Sequence, residues 1–343
     1  MIQEETARGT LSATGQPEYE QSWFNCDDGT KLYLHRWIPG SSDTAGHSDP
    51  ALVLHIVHGM AEHGFRYQRL AGKLTSRNIE VWAADQRGHG KTADININKP
   101  GAGGILGHCA DTKGFDRVTR DVHAINEAIR KKYPNTPIVL MGHSWGSFIT
   151  QNYIEQYSNE PGGIDGCILS GTRGPDGLLV KAGVPLMNLF AFFHGKRKGS
   201  KAARSLADGP YNKPFKPNRT PFDWLSRDEK EVDAYAADPL CGNLCSTGFY
   251  RDLASGLNRI HKSGVMAHIR TSLPVYIISG SADPVGDMGV SPTALVTLYR
   301  SLGIKDIEFV LYPGARHETL NETNRDEVMD NLTDWIMRHY KPS

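Results

Sequence analysis

The pentapeptide Gly142-His143-Ser144-Trp145-Gly146 directly follows the apolar run Pro-Ile-Val-Leu-Met at 137–141. A serine so placed can act as a nucleophile if a buried strand ends in a very tight turn, one that only glycine-sized neighbours two positions to either side can accommodate. The hydroxyl is then pushed into the open. Residues 148–155, Phe-Ile-Thr-Gln-Asn-Tyr-Ile-Glu, read as helical, so strand, turn and helix arrive in the order the device requires.

A serine hydroxyl is a poor nucleophile at neutral pH and needs a positioned base, with a carboxylate behind that base to orient it and stabilise its charge. Asp283, in Ser279-Gly-Ser-Ala-Asp-Pro284, and His317, in Tyr312-Pro-Gly-Ala-Arg-His317, follow the serine in that chain order. Each sits just past a predicted strand, at the carboxyl end where open α/β sheets place their ligand sites. The three are expected to converge. Asp287 competes with Asp283 but reads as a helix cap or surface residue, and Asp85 precedes the serine and is expected to brace the turn at 86–90. Acyl transfer also needs donors aimed at the developing oxyanion, and the backbone N–H groups of Trp145 and Met60 are the candidates. Gly59, beside Met60, lets the backbone approach closely. His58, His63, His89 and His143 crowd the same stretches and are expected to pack or hydrogen-bond beneath the site. None has a zinc-like spacing, and Cys241 and Cys245 are spaced for a metal or redox pair only weakly, so neither a metal nor a cofactor is expected.

Positioning these groups calls for alternating strands and helices. Apolar runs at 51–57, 79–84, 137–141 and 163–170 read as strands buried on both faces of a parallel sheet, with helices over 66–77 and 113–132 between them. Further strands are expected at 274–279 and 307–312, with helices near 247–262, 291–303 and up to Tyr340. The alternation implies a doubly wound, mostly parallel α/β sheet with right-handed crossovers. A hairpin is expected from 21–25 and 31–38, preceded by a loose arm over residues 1–18. The pattern breaks after Gly171, so the core is expected to be 19–171 and 239–343, with 172–238 inserted as a cap or lid.

Bulk properties narrow the partners. The chain has 343 residues with 38 basic and 38 acidic side chains, which supplies no field to attract nucleic acid. No apolar segment approaches the roughly 18 residues of a membrane span, and the start is polar and acidic. Five cysteines without a framework spacing fit reduced thiols, so a cytoplasmic protein is expected. Oligomeric state is left open.

The stretches His58–Tyr67, Asp85–Gly90, Gly142–Gly146, Gly280–Asp283 and Gly314–His317 together resemble the monoacylglycerol lipase and lysophospholipase branch of the α/β-hydrolase superfamily, of the serine aminopeptidase S33 type. The resemblance spans roughly 20–340 and implies Ser144 as nucleophile, His317 as base, Asp283 as its orienting acid, and Met60 with Trp145 as oxyanion donors. It implies a small lipophilic ester as substrate and a cap over an acyl channel, with cap residues around Leu178, Leu186, Phe190 and Phe193 as its lining. Trp145 departs from the smaller or unbranched residue common after the serine, which would narrow the pocket floor. Pro185 is expected to interrupt the cap helix, and the basic run Lys196–Lys198 beside it allows transient contact with a membrane surface. A short-chain carboxylesterase, a peptidase with the same triad, and a non-catalytic binder are the alternatives.

Overall fold

The computed structural model describes residues 2–9, 18–40, 49–95, 104–175 and 178–340. Its strands are β1 (Ile2–Gly9), β2 (Glu18–Asn25), β3 (Lys31–Ile38), β4 (Leu52–Val57), β5 (Ile79–Asp85), β6 (Ile138–His143), β7 (Gly166–Ser170), β8 (Val275–Gly280) and β9 (Ile307–Tyr312). They form one nine-stranded sheet in the order β1-β2-β3-β5-β4-β6-β7-β8-β9. β1 to β3 are antiparallel, β3 meets β5 antiparallel, and every pairing from β5 to β9 is parallel. Residues 2–9, expected within a loose arm, instead pair with β2 from Ile2 opposite Phe24 to Gly9 opposite Tyr19. The other arm residues, 1 and 10–17, lie outside the described set. The ladder bonds of β2 outweigh the shortage of large apolar side chains that had argued against a strand.

β4 to β8 are buried along their whole length, which explains why they read as near-continuous apolar runs. Successive side chains point to opposite faces and so divide between two layers. Val53, Val57 and Leu140 pack with Val118, Ile125 and Ile149, whereas Leu54, Ile56 and Met141 pack with Leu70, Leu332 and Trp335. The helices supplying these partners, in a chain ordered α1 (Gln68–Thr75), α2 (Gly90–Ile95), α3 (Gly114–Lys132) and α4 (Trp145–Tyr157), α5 (Leu178–His194), α6 (Lys201–Ala207), α7 (Glu229–Ala237), α8 (Thr247–Ile260), α9 (Ser263–Met266), α10 (Val290–Ser301) and α11 (Arg325–His339), therefore cover both faces. The doubly wound expectation holds. The chain crosses from β4 out to β5 and returns past β4 to β6, so the topological switch lies between β4 and β6.

Helices α5, α6 and α7 fill the long connection between β7 and α8. α5 continues through Pro185, against expectation. A proline removes one helical N–H and crowds the preceding turn, and here α5, packed along α8, carries it within the helix. Met187 and Ala191, four residues apart, are the buried side of α5, while Leu189, Phe192 and Phe193 are exposed.

Arg87 ties the amino-terminal hairpin to this core. Its guanidinium is buried, pairs with Asp121 through Nε and through Nη2 at 3.0 Å, and binds both Asp28 oxygens at 2.7 and 2.8 Å and Thr30 Oγ1 at 2.8 Å. Arg87→Met leaves the buried Asp121 carboxylate with Arg117 Nη2, at 3.0 Å, in place of two guanidinium partners and is expected to cost about 3 kcal/mol in urea unfolding. A loss below about 1 kcal/mol would contradict this account of the joint.

Candidate active site

Ser144 follows β6 and caps α4 with φ 52° and ψ −123°, a conformation that a side-chain-bearing residue adopts only when its surroundings over-determine it. Those surroundings are visible. Its N–H donates to the Ser170 carbonyl at 2.9 Å, and its own carbonyl accepts from the Ser147 N–H at 2.8 Å and hydroxyl at 2.6 Å. A Cβ at Gly142 would strike the Gly146 carbonyl, and one at Gly146 would strike the Val57 and His58 carbonyls at the end of β4. The glycines are thus demanded by backbone running against backbone.

Asp283 follows β8 and His317 follows β9, and both are buried. His317 Nδ1 lies 3.0 Å from each Asp283 oxygen. A carboxylate only accepts, so Nδ1 carries the proton and donates. Nε2 is left as the acceptor, and it is buried without a hydrogen-bond partner. Ser144 and His317 line one cavity. Burial opposes charging of this imidazole, but the touching Asp283 carboxylate, helped by Glu318 and Glu62, outweighs it and raises the pKa. The competing acids sit elsewhere. Asp85 accepts from the Gly64 N–H, the Lys91 N–H and His35 at 2.8, 2.8 and 3.1 Å, which is the bracing role expected of it. Asp287 is exposed.

The loop after β4 is fixed from both sides. Gly59 N–H donates to Glu62 Oε1 at 2.5 Å, and the Ala61 carbonyl accepts from the Tyr235 hydroxyl and the Gly242 N–H, each at 2.9 Å. Met60 lines the cavity beside Ser144. Trp145 opens α4, where the first N–H groups have no partner within the helix. Its indole does not narrow the cavity floor. The ring is buried between His89 and Phe249, with centroids 5.2 and 5.1 Å away.

The crowded histidines are structural in geometry. His58 Nε2 accepts from the Gln86 N–H at 2.8 Å, so Nδ1 donates to the Gly59 carbonyl at 2.7 Å. Burial lowers the pKa of His143 to about 4 and of His89 to about 3, with neighbouring imidazoles adding to it, and both stay neutral at pH 7. Among the described residues, His63, Asp238 and Cys241 bring potential ligand atoms within 4.8 Å of one another, but His63 and Asp238 already pair at 2.9 Å and none of the three lines the Ser144 cavity. Cys245 does not join them.

Several residues at the site were not singled out from sequence. Arg66 is held between Glu62 at 2.6 Å and Glu318, whose two oxygens it binds at 2.8 and 2.7 Å. Burial would raise both carboxyls, yet Arg66 outweighs it and lowers both. Glu62 and Arg66 stand four apart in the motif after β4 and Glu318 follows His317, so proximity to motif residues was the available signal. The cavity wall also differs from expectation. Leu186 and Phe193 of α5 are exposed, Phe190 is half-buried against the core, and the Leu178 side chain lies outside the described residues. The wall instead comes from Arg204, Asp208, Trp224, Tyr235, Asn243 and Tyr250. Trp224 and Leu225 reach the histidine loop directly, their carbonyls accepting from the His317 and Glu318 N–H groups at 3.4 and 2.7 Å.

A mostly parallel, doubly wound sheet with a serine turn after its switch-point strand, and an Asp–His pair after the two strands at its far edge, is the α/β-hydrolase arrangement. The family described as serine aminopeptidase, S33, matches residues 48–324, and the chain belongs to it. It is 28% identical over 315 residues to a monoacylglycerol lipase of Mycolicibacterium smegmatis, covering 91% of this chain and 94% of that one. It is 27% identical over 315 residues to the human monoglyceride lipase, with 90% and 88% coverage. A thermostable carboxyl esterase from Bacillus coagulans superposes with a TM-score of 0.81 at 25% identity, covering 94% of this chain and 99% of the esterase.

The raised His317 pKa sets a pH dependence. His317 can accept the serine proton only when neutral, so reactivity must fall as pH drops through a value above the ordinary imidazole pKa of about 6.5. The rate of Ser144 labelling by a fluorophosphonate, measured against pH, should show that acid limb. A midpoint below about 6.5 would contradict the assigned Asp283 effect.

Proposed function

We propose that this chain hydrolyses carboxylic esters of lipophilic acids, monoacylglycerols foremost and lysophospholipids second, through an acyl-enzyme on Ser144. The observation that carries the reading is the pairing of a strained, cavity-lining Ser144 with a His317 whose Nδ1 is engaged by Asp283 and whose Nε2 is open. Ser144 gives its proton to His317 Nε2 as its oxygen bonds to the ester carbonyl carbon. The N–H groups of Met60 and Trp145 receive the negative charge that develops on the carbonyl oxygen. The tetrahedral intermediate expels the alcohol, which takes the proton from His317. Water, deprotonated by the same nitrogen, then attacks the acyl carbon and restores the serine. Residues 172–238 act as the cap that closes this chamber. No metal or cofactor takes part in this scheme.

Relatives named as lipases favour the ester over the peptide reading.

A second reading concerns the cap surface. Phe192 and Phe193 are 81% and 70% exposed and stand edge to face at 5.2 Å, with exposed Lys196 and Lys198 next in the chain. Aromatic rings flanked by lysines fit shallow insertion at a lipid interface. No helix among the described residues is long and apolar enough to cross a membrane.

Ser144→Ala is expected to lower turnover of a monoacylglycerol by on the order of 10⁶-fold, and Asp283→Asn by on the order of 10⁴-fold. Retention of more than about a tenth of wild-type esterase activity by the serine variant would refute the mechanism. Replacing Phe192 and Phe193 together by serine should abolish co-sedimentation with phosphatidylglycerol vesicles while leaving hydrolysis of a dissolved ester intact. Undiminished sedimentation would remove the interfacial reading.

A further inference from the structure

Ser147 stands in the first turn of α4, beside the nucleophile, and the acyl-enzyme scheme makes no use of its buried hydroxyl. Its Oγ lies 2.6 Å from the Ser144 carbonyl oxygen and 2.8 Å from Thr172 Oγ1. A carbonyl only accepts, so the one Ser147 hydroxyl proton goes to Ser144, and Thr172 donates to Ser147. The chain continues behind. Gln151 Nε2 lies 2.9 Å from Thr172 Oγ1 and 3.0 Å from the Arg173 carbonyl, which fixes that end of the amide as the donor. Gln151 Oε1 therefore accepts from His261 Nε2 at 3.0 Å. Burial, with the Arg173 charge adding to it, lowers the His261 pKa to about 4, so at pH 7 the ring has one proton and the bond to Gln151 places it on Nε2. Every bond from His261 through Gln151, Thr172 and Ser147 thus points one way, toward the Ser144 carbonyl. Ser147, Gln151 and Thr172 have no solvent exposure, so these bonds act in a low dielectric and polarise one another.

The Ser144 carbonyl and the Trp145 N–H are two ends of one planar peptide group. Donors at the oxygen draw electron density through the C–N bond, which makes the N–H a stronger donor, and they hold the plane that sets its direction. The Ser144 oxygen accepts twice, from the Ser147 N–H at 2.8 Å and from the hydroxyl. The backbone bond belongs to the helix start; the hydroxyl is an addition. The other donor peptide, Gly59–Met60, is backed in the same manner, its Gly59 carbonyl accepting from His58 Nδ1 at 2.7 Å. Resting on the ester-hydrolase reading above, we propose that Ser147 is a positioning residue of the oxyanion site, whose hydroxyl, directed by Thr172 and Gln151, aims and strengthens the Trp145 N–H through the peptide that Trp145 shares with Ser144. An ester carbonyl carries little charge and the tetrahedral intermediate a full one, so the strengthened donor favours the second. Ser147 therefore acts on kcat and leaves KM little changed.

Three variants test this. Ser147→Ala removes the donor, Ser147→Cys keeps a side chain of similar size that donates poorly, and Thr172→Val removes only the group that directs the Ser147 proton. Thermal melting verifies that each is folded, and Thr172→Val carries both readouts should a Ser147 variant fail to fold. With glyceryl monobutyrate, kcat is expected to fall about tenfold in the Ser147 variants and about threefold in Thr172→Val, with KM within about twofold of wild type. Loss of a whole oxyanion donor costs about 10²–10³-fold, so weakening one costs less. The oxyanion itself is read with a trifluoromethyl ketone labelled with carbon-13 at its carbonyl. Ser144 Oγ bonds to that carbon and its proton passes to His317, leaving the hemiketal oxygen as an anion in the site. NMR of the labelled carbon gives the pH at which this oxygen ionises. A weaker donor stabilises the anion less, so the midpoint is expected to rise by about one pH unit in the Ser147 variants, the tenfold change expressed as a pKa, and by about half a unit in Thr172→Val. Loosened packing would reduce adduct formation without moving that midpoint. A midpoint no higher than wild type in the folded variants, or a kcat unchanged in them, would overturn the proposal and leave ester hydrolysis standing. If wild-type Ser144 neither forms the hemiketal nor is labelled by a fluorophosphonate, the underlying reading itself fails.

Discussion

The site depends on one close approach of backbone to backbone. The last carbonyls of β4 lie against Gly146 at the start of α4, and the Gly146 carbonyl lies against Gly142 at the end of β6, with room for hydrogen only. Because β4 and β6 are paired neighbours, the turn between β6 and α4 cannot relax outward without breaking the centre of the sheet. Strain at Ser144 is thus stored in the most buried strands of the molecule. The same approach brings the loop after β4, with Gly59 and Met60, beside the serine. Ser144 and the Gly59–Met60 backbone are in this sense two ends of a single packing constraint.

Around that constraint, charge is handled by burial in opposed pairs. Arg66 with two glutamates joins the loop after β4 to the residue following His317. Such an arrangement repays its desolvation only when every member is engaged, and here Glu62 also takes the Gly59 N–H and the Tyr67 hydroxyl at 3.0 Å. The neighbouring His143 and His89 are kept neutral, so the single imidazole biased toward charge in this cluster is the one that contacts Asp283. The inserted segment is bound into the same structure through Tyr235, Gly242, Trp224 and Leu225.

The elements were largely legible in the sequence because the central strands are buried on both faces and the helices between them are periodic. The order of Ser144, Asp283 and His317 was legible for the same reason, since strand ends fix where each residue emerges. Side-chain direction was not. An apolar run such as 178–193 announces burial of one side without saying which, and α5 directs Met187 and Ala191 inward while Leu186 and Phe193 face solvent. The size of Trp145 suggests a wall of the cavity, whereas its ring is buried between His89 and Phe249. The Arg204, Asp208 and Asn243 wall joins residues nearly forty positions apart, with no local pattern to connect them. Residues 2–9 became a strand through pairing with β2, a tertiary effect that composition does not carry.

The hairpin joint has a consequence for where this enzyme begins. The family match starts at residue 48 and leaves out β1, β2 and β3. Yet Asp28 and Thr30, on the turn between β2 and β3, supply three of the hydrogen bonds to the buried Arg87, and β3 covers the edge of β5. Arg87 in turn lies in the segment whose Asp85 and Gln86 hold Gly64 and His58. A chain cut at the family boundary would expose an unpaired strand edge and leave an interior cation short of ligands, within two residues of the groups that hold the loop after β4. The stretch that packs as one structure around the site is therefore longer than the stretch by which its kinship is recognised, and the hairpin belongs to it.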